Sequence, residues 1–211
     1  MNLRGNKVKL KHLDNIEKLI LKSRVSKLYI ELDDIKLKMD IVKHLHTLCS
    51  ENDLSDKNMY THQIHAIYPA IATYKELIKQ GIPKEVVYND IEKTAFDSVR
   101  NSARFLHKFS KLPFFFSLFG KMCKVGTSTG FGKPGFDMIW EGNTKTEIKW
   151  TCKSCYYKNE FTKYGVAELT KIFCEIDDII YGDLSSASWE RTRTIGGGDE
   201  VCDFHFIKKN S

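Results

Sequence analysis

Proline and glycine are scarce in this chain. Four prolines and 13 glycines in 211 residues leave no room for a long flexible linker. With 42% apolar and 28% charged residues, the composition excludes disordered and fibrous classes. Long apolar runs are missing as well. The longest, Leu112 to Phe119, falls far short of the roughly 18 residues that cross a bilayer. The opening segment MNLRGNKVKLKHLD has no apolar core of a secretory signal, so the expected location is cytoplasmic. In that compartment the six cysteines are expected as reduced thiols. No four consecutive Lys or Arg occur, and no basic motif is interleaved with aromatics, so nucleic acid is not an expected partner.

What is present fits one domain over 1–211, with a mainly helical part to about 110 and a sheet-containing part over 120–211. The net charge of +6 is uneven. Residues 1–50 carry 11 basic against 6 acidic groups, and 101–150 carry 8 against 3, whereas the other two blocks are slightly acidic.

Apolar spacing predicts helices first. Leu28, Leu32, Ile35, Met39, Val42, Leu45 and Cys49 form one stripe. Ile67, Ala70, Ile71, Tyr74, Leu77 and Ile78 form a second, ended by Gly81. Pro83 suits the first turn of a third, whose stripe runs Val87, Ile91, Ala95, Val99, Ala103, Leu106. After Phe119, the glycines 126, 130, 132 and 135 with Pro134 predict an irregular loop. Phe136–Trp140 and Thr144–Trp150 then read as a hairpin turning near Gly142 and Asn143. Residues 156–181 return to helix, broken at Gly165. Two strands close the chain, about Ala187–Ile195 and Val201–Lys208. Helices, hairpin, helix, hairpin is an α+β order, with helices on one side of a small antiparallel sheet.

Some motifs fail on their own chemistry. Residues 126–130, GTSTG, match a nucleophile elbow, but that turn needs a helix directly after the serine, and FGKPG does not start one. Gly132–Lys133 lacks the hydroxyl that a phosphate loop places on magnesium. His44, His46, Cys49, His62 and His65 are ligand types without a matching second set, and packing or solvation is preferred. The aromatic run Phe109–Phe119 is read as core in preference to a membrane-facing segment or the lining of an apolar pocket.

The thiols carry more information. Cys152 and Cys155 form a lone CxxC, and structural zinc usually needs two such pairs. On a helix, Asp177, Asp178 and Tyr181 fall within about 60° of Cys174, away from Ile172, Ile176 and Ile179. Cys174 therefore shares a polar face with two carboxylates. In VCDFHFIKK, Cys202, Phe204 and Phe206 share one strand face, and Asp203 and His205 the other. Arg191 and Arg193 are expected together on the neighbouring strand. Cys49 and Cys123 are expected to serve packing.

The segments IKWTCKSCYYKNEFTKYGVAEL, IFCEIDDIIYGDL and ERTRTIGGGDEVCDFHF resemble the C-terminal half of the L-2-amino-thiazoline-4-carboxylic acid hydrolase family. Cys155 with Gly165, Cys174 with Asp177, and Arg191, Thr192, Thr194, Gly198, Cys202, Asp203 and Phe204 carry the match. IYPAIATYKELIKQGIPKE, from Ile67, is similar to a family helix. The resemblance spans about 65–211 and departs at the extra Cys152. It implies an enzyme that opens a cyclic amidine or thiazoline ring with water, acting on a carboxylate-bearing small molecule. The residues it points to are Cys174, Cys202, Cys155 and Asp177 for the chemistry and Arg191, Arg193 and Asp203 for binding substrate. No cofactor is expected.

The closing strands also resemble those of vinyl-reductase-type ligand-binding domains, in which cysteines can hold zinc. That resemblance implies an alternative: a non-catalytic small-ligand module, with zinc on Cys155, Cys174 and Cys202. A third reading is peripheral contact of Phe109–Phe119 and neighbouring lysines with anionic lipid. Oligomeric state stays open.

Overall fold

A computed structural model describes residues 15–209. The helical expectation for residues 1–14 lies outside the described residues. The chain divides into two compact units, Met1–Ser98 and Val99–Ser211, which meet within one continuous helix.

The first unit is helical: α1 (15–21), α2 (Ser26–Glu31), α3 (Ile35–Glu51), α4 (Lys57–His62), α5 (Tyr68–Lys79) and the first part of α6 (Lys84–Phe109). The single stripe expected from Leu28 to Cys49 is two helices. The chain leaves α2 at Leu32, and the Asp34 carboxylate accepts the Leu37 N–H to start α3 anew. Asp56 caps α4 in the same way, accepting from Asn58 and Met59 N–H. Between α4 and α5 lies a π-helical turn, Gln63–Ile67. Pro69 accounts for part of it. Having no N–H, it leaves the His65 carbonyl without its helical donor, and Arg24 N–H supplies a bond of 2.9 Å instead. Gly81 ends the next helical run with φ +83°, a conformation glycine adopts without strain. Ile41, Leu45, Ile67, Ile71 and Ile91 are completely buried and make up much of this unit's core.

The second unit holds the end of α6, α7 (Phe115–Thr129), β1 (Met138–Asn143), β2 (Glu147–Cys152), α8 (Tyr156–Lys163), α9 (Leu169–Tyr181), β3 (Ala187–Glu190) and β4 (Cys202–Lys208). The sheet runs β1-β2-β4-β3, antiparallel throughout, so the architecture is α+β. Three expectations change here. The irregular loop begins only at Gly130, because Gly120 and Gly126 are tolerated inside α7. The hairpin turns at 144–146 instead of Gly142 and Asn143, which lie in β1 beside a register shift. The last hairpin is shorter on its first side: β3 stops at Glu190, and the following residues form a strap with a 3₁₀ turn at Ile195–Gly197. Gly165, at φ +69°, breaks the helical run between α8 and α9 as expected.

One sheet face is covered and the other is open. On the covered face Phe115, Phe116 and Phe119 of α7 join Ile148, Trp150 and Phe206 in one buried cluster. Phe206 is its hub, with ring centroids 4.6 Å from Trp189, 4.9 Å from Phe119 and 5.2 Å from Tyr181. Phe206→Ala should therefore cost about 3–5 kcal/mol, the usual loss for emptying a buried aromatic site. Urea denaturation of the variant checks this, and a loss below about 1 kcal/mol would contradict the packing described.

Candidate functional site

Within the second unit, a cavity of ≈ 260 Å³ lies between the covered sheet face and helices α6, α7 and α9. Its walls are mainly apolar: Phe119 and Met122 from α7, Phe131 beyond it, and Trp150 and Phe204 from the sheet. Trp150 and Phe204 are register partners whose rings stack at 5.0 Å. Into this lining α9 brings Asp177 and Tyr181. A small cavity with few polar groups is the common form of a small-molecule site.

Asp177 is the polar group that stands out. Burial pushes its carboxyl up to about 7, against the pull of Arg191 and with a further push from Asp178. Arg191 Nη1 donates to Asp177 at 3.1 Å, and Nη2 donates to the Cys174 carbonyl at 3.0 Å and also to Asp178. Only 5% of the Arg191 side chain is exposed, and its guanidinium lies 5.4 Å from the Trp189 ring centre. Burial likewise raises the Tyr181 hydroxyl above its ordinary range, with Asp177 adding to the effect.

Arg191 opens the strap between β3 and β4, and the strap's sequence explains its shape. The Asp203 carboxylate accepts N–H bonds from Thr192 and Arg193 at 2.9 and 2.8 Å, and Thr192 Oγ1 donates to it as well. Burial works to raise the Asp203 carboxyl, but these bonds outweigh it and hold the group below the usual carboxylate range. Thr194 Oγ1 accepts from Gly197 N–H, and Asp199 accepts from Thr194 N–H. Gly198 turns the chain at φ +108°. Gly196 packs so close to α9 that a Cβ there would sit 2.6 Å from Cys174 Sγ and 3.2 Å from the Thr170 backbone.

The strap brings thiols together. Cys174 lies beside Cys202, and this neighbour together with burial drives the Cys174 thiol well above its ordinary range. Cys202 Sγ also accepts Ile195 N–H at 3.2 Å. Cys202 is the register partner of Cys152, whose thiol donates to the Ser154 carbonyl at 3.1 Å and is pushed up by burial to about 12. Cys155, at the start of α8, feels both Cys174 and Asp177 and is raised by burial to about 11. All six cysteines are free thiols. Among the described residues, no group of three or more His, Cys, Asp or Glu is arranged to hold a metal ion.

The predicted site residues thus fall into two sets. Cys155, Cys174, Cys202, Asp177 and Arg191 lie around the contact of α9 with the strap. Arg193 and Asp203 do not join them. Asp203 pairs across the sheet with Thr151 on the open face, and Arg193, 3.7 Å from Asp203, influences Glu141 there. Arg191 reaches α9 from irregular chain and not from a strand, so alternation does not put the two arginines side by side. Arg191 is also occupied by protein acceptors. Of the thiols, only Cys123 lines the cavity. From the sequence, Cys123 is a packing residue and the Phe109–Phe119 run a possible pocket lining, which Phe119 is; the helical wall beyond Phe119 is hidden by glycines that suggest loop. Phe115, Phe119 and Cys123 at four-residue spacing were the available signal. Ser128 ends up near the C-terminus of α7, its hydroxyl donating to the Val125 carbonyl, which is not the geometry of an elbow.

An α+β unit with an apolar cavity and a neutral-titrating carboxyl on its wall has the form of a small-molecule site. The model of the L-2-amino-thiazoline-4-carboxylic acid hydrolase family matches residues 60–206, well over half of the chain, and the chain belongs to that family of hydrolases. No curated protein and no solved structure matches it significantly.

The Asp177 carboxyl gives a signed prediction. A folded value near 7, above the unfolded value near 4, means the ionised form is disfavoured by folding. Stability from this group is present below the unfolded value and is lost as pH rises through the folded one. Relative to the native protein, Asp177→Asn should therefore gain stability steadily between about pH 4 and pH 7. Thermal unfolding of both proteins across that range checks it. An opposite trend would mean that the Arg191 ion pair outweighs burial.

Proposed function

We propose that the chain hydrolyses a small cyclic amidine or thiazoline that carries a carboxylate, using thiol chemistry assisted by Asp177. The observation that carries this reading is Asp177, a carboxyl poised near neutrality where the cavity wall meets the thiol pair. An acid–base group works best when its pKa lies near the working pH. The family match supports the hydrolase class.

In the proposed reaction, water replaces the ring sulfur at the amidine carbon. The Cys202 thiolate adds to that carbon, the ring carbon–sulfur bond breaks, and Asp177 supplies the proton taken up by the departing sulfur. Water then attacks the same carbon, giving one proton back to Asp177 and the other to the former ring nitrogen, and the Cys202 thiolate leaves as the carbamoyl product forms. Burial favours the protonated form of Cys174, which leaves Cys202 as the proposed nucleophile. The Ile195 N–H aimed at Cys202 Sγ would stabilise negative charge on that sulfur.

A second reading is a non-catalytic ligand module, favoured by one observation: Cys174 and Cys202 are absent from the residues lining an otherwise apolar cavity. Turnover of 2-amino-thiazoline-4-carboxylate separates the two. We expect ring opening that persists with chelator, falls about 100-fold or more in Cys202→Ala, and loses its limb near pH 7 in Asp177→Asn. Full activity in both Cys174→Ala and Cys202→Ala would end the thiol mechanism. Saturable binding without turnover would favour the module.

A further inference from the structure

Helix α7 is apolar on two sides. Phe115, Phe116 and Phe119 face inward and are buried. Phe114, just before the helix, and Leu118, Met122 and Val125 fall within about 80° of one another at 100° per residue, on the adjoining side. They are exposed by 56, 38, 51 and 61%. Leu112 and Phe105, the latter 71% exposed on α6, add apolar surface in the same unit. Such a set exceeds the scattered single hydrophobics normal on protein surfaces.

The charge carried by this stretch of chain has one sign. No acidic residue occurs between Asp97 and Asp137, a stretch that carries seven Lys or Arg. Lys108, Lys111, Lys121 and Lys124 are exposed, and none forms a salt bridge among the described residues. Lys121 lies on the outward stripe itself and Lys124 at its edge. Their long stems can lie along apolar surface while the ammonium groups reach outward.

From this pairing of an exposed apolar stripe with a stretch of chain whose charged residues are all basic, we propose that the outward face of α7 docks on an anionic membrane surface. Helices that lie in a bilayer interface combine these features: apolar side chains entering the headgroup boundary, and lysines pairing with anionic lipid. A protein partner would need its own acidic rim and apolar groove, whereas an anionic bilayer presents both over any area. The aromatic run divides accordingly. Phe115, Phe116 and Phe119 build the core, and Phe114 with Leu118 and Val125 meets lipid. Met122 and Phe131 belong both to the exposed apolar surface and to the cavity lining, so docking brings that wall of the cavity to the lipid.

The test is co-sedimentation of the full chain with vesicles of phosphatidylcholine containing one-quarter phosphatidylserine, beside vesicles of phosphatidylcholine alone. We expect binding to the anionic vesicles that about 0.5 M sodium chloride reverses, since screening is then strong within a few ångströms. Each lysine near such a surface contributes about fivefold in partitioning, so Lys121→Gln/Lys124→Gln should lower it about 25-fold. Leu118→Ser/Val125→Ser should lower it about tenfold or more while circular dichroism shows the fold retained. Absence of binding at low salt, or binding that neither double variant weakens, overturns the proposal. So does a dimer in gel filtration that Leu118→Ser/Val125→Ser dissociates while vesicles fail to bind, since the face would then join two copies.

Discussion

Arg191 is held inside the second unit by Asp177, Asp178 and the Cys174 carbonyl, and the arrangement around α9 depends on that attachment. A guanidinium with so little exposure is stable only when its donors are met by charge and carbonyl oxygen, because the cost of leaving it unpaired is several kcal/mol. Meeting that requirement draws the strap against the helix. Gly196 then fits beside Cys174 because it has no Cβ, and Ile195 N–H falls on Cys202. The thiol pair is thus a consequence of where one arginine must go. Asp203, working from the far face of the sheet, fixes the strap from behind by taking two of its N–H groups. Its influence on the site is through position.

The cavity has a different origin. The sheet is covered on one face only, and its inner row of Ile148, Trp150, Phe204 and Phe206 is too bulky to be matched everywhere by α7 and α9. Phe115 and Phe119 fill the region over Phe206. Over Trp150 and Phe204 the helices leave space, and the side chains from α9 that border it are Asp177, Ile180 and Tyr181. A carboxylate at such a wall loses hydration and gains only one side of an ion pair, so burial pushes Asp177 up against the pull of Arg191. Asp178 is exposed, accepting from Trp189 and from the other Arg191 nitrogen.

Much of this was legible before any coordinates. The stripes of α5 and α6 are regular, and their buried residues are those the spacing selects: Ile67, Ile71, Val87, Ile91 and Ala95 are each at most 1% exposed. The polar face of α9 was legible for the same reason, since Cys174 and Asp177 stand one turn apart. The first stripe fails at the break between α2 and α3: Ile35 and Met39 are 75 and 50% exposed, and Leu37, Ile41 and Leu48 are buried in their stead. Period-two alternation placed Cys202 and Phe204 together and separated them from Asp203. Local signals failed where a neighbour decided the outcome. Gly120 and Gly126 look like loop residues, yet α7 persists because its inner face is buried against the sheet. Gly142 and Asn143 look like a turn, yet they remain in β1, where the Asn143 side chain donates to the Gly120 carbonyl.

By itself, then, the sequence determined the class of fold, the faces of α5, α6 and α9, the strand faces and the family, because each depends on residues close along the chain or on a pattern of spacing. Tertiary structure alone decided which of the six thiols meet, that Arg191 is spent on α9 while Arg193 turns to the open face, and that Asp177 looks into an apolar cavity. Those outcomes depend on desolvation and on partners many residues away, and burial, which sets the chemistry of a carboxyl or a thiol, exists only once the layers have packed.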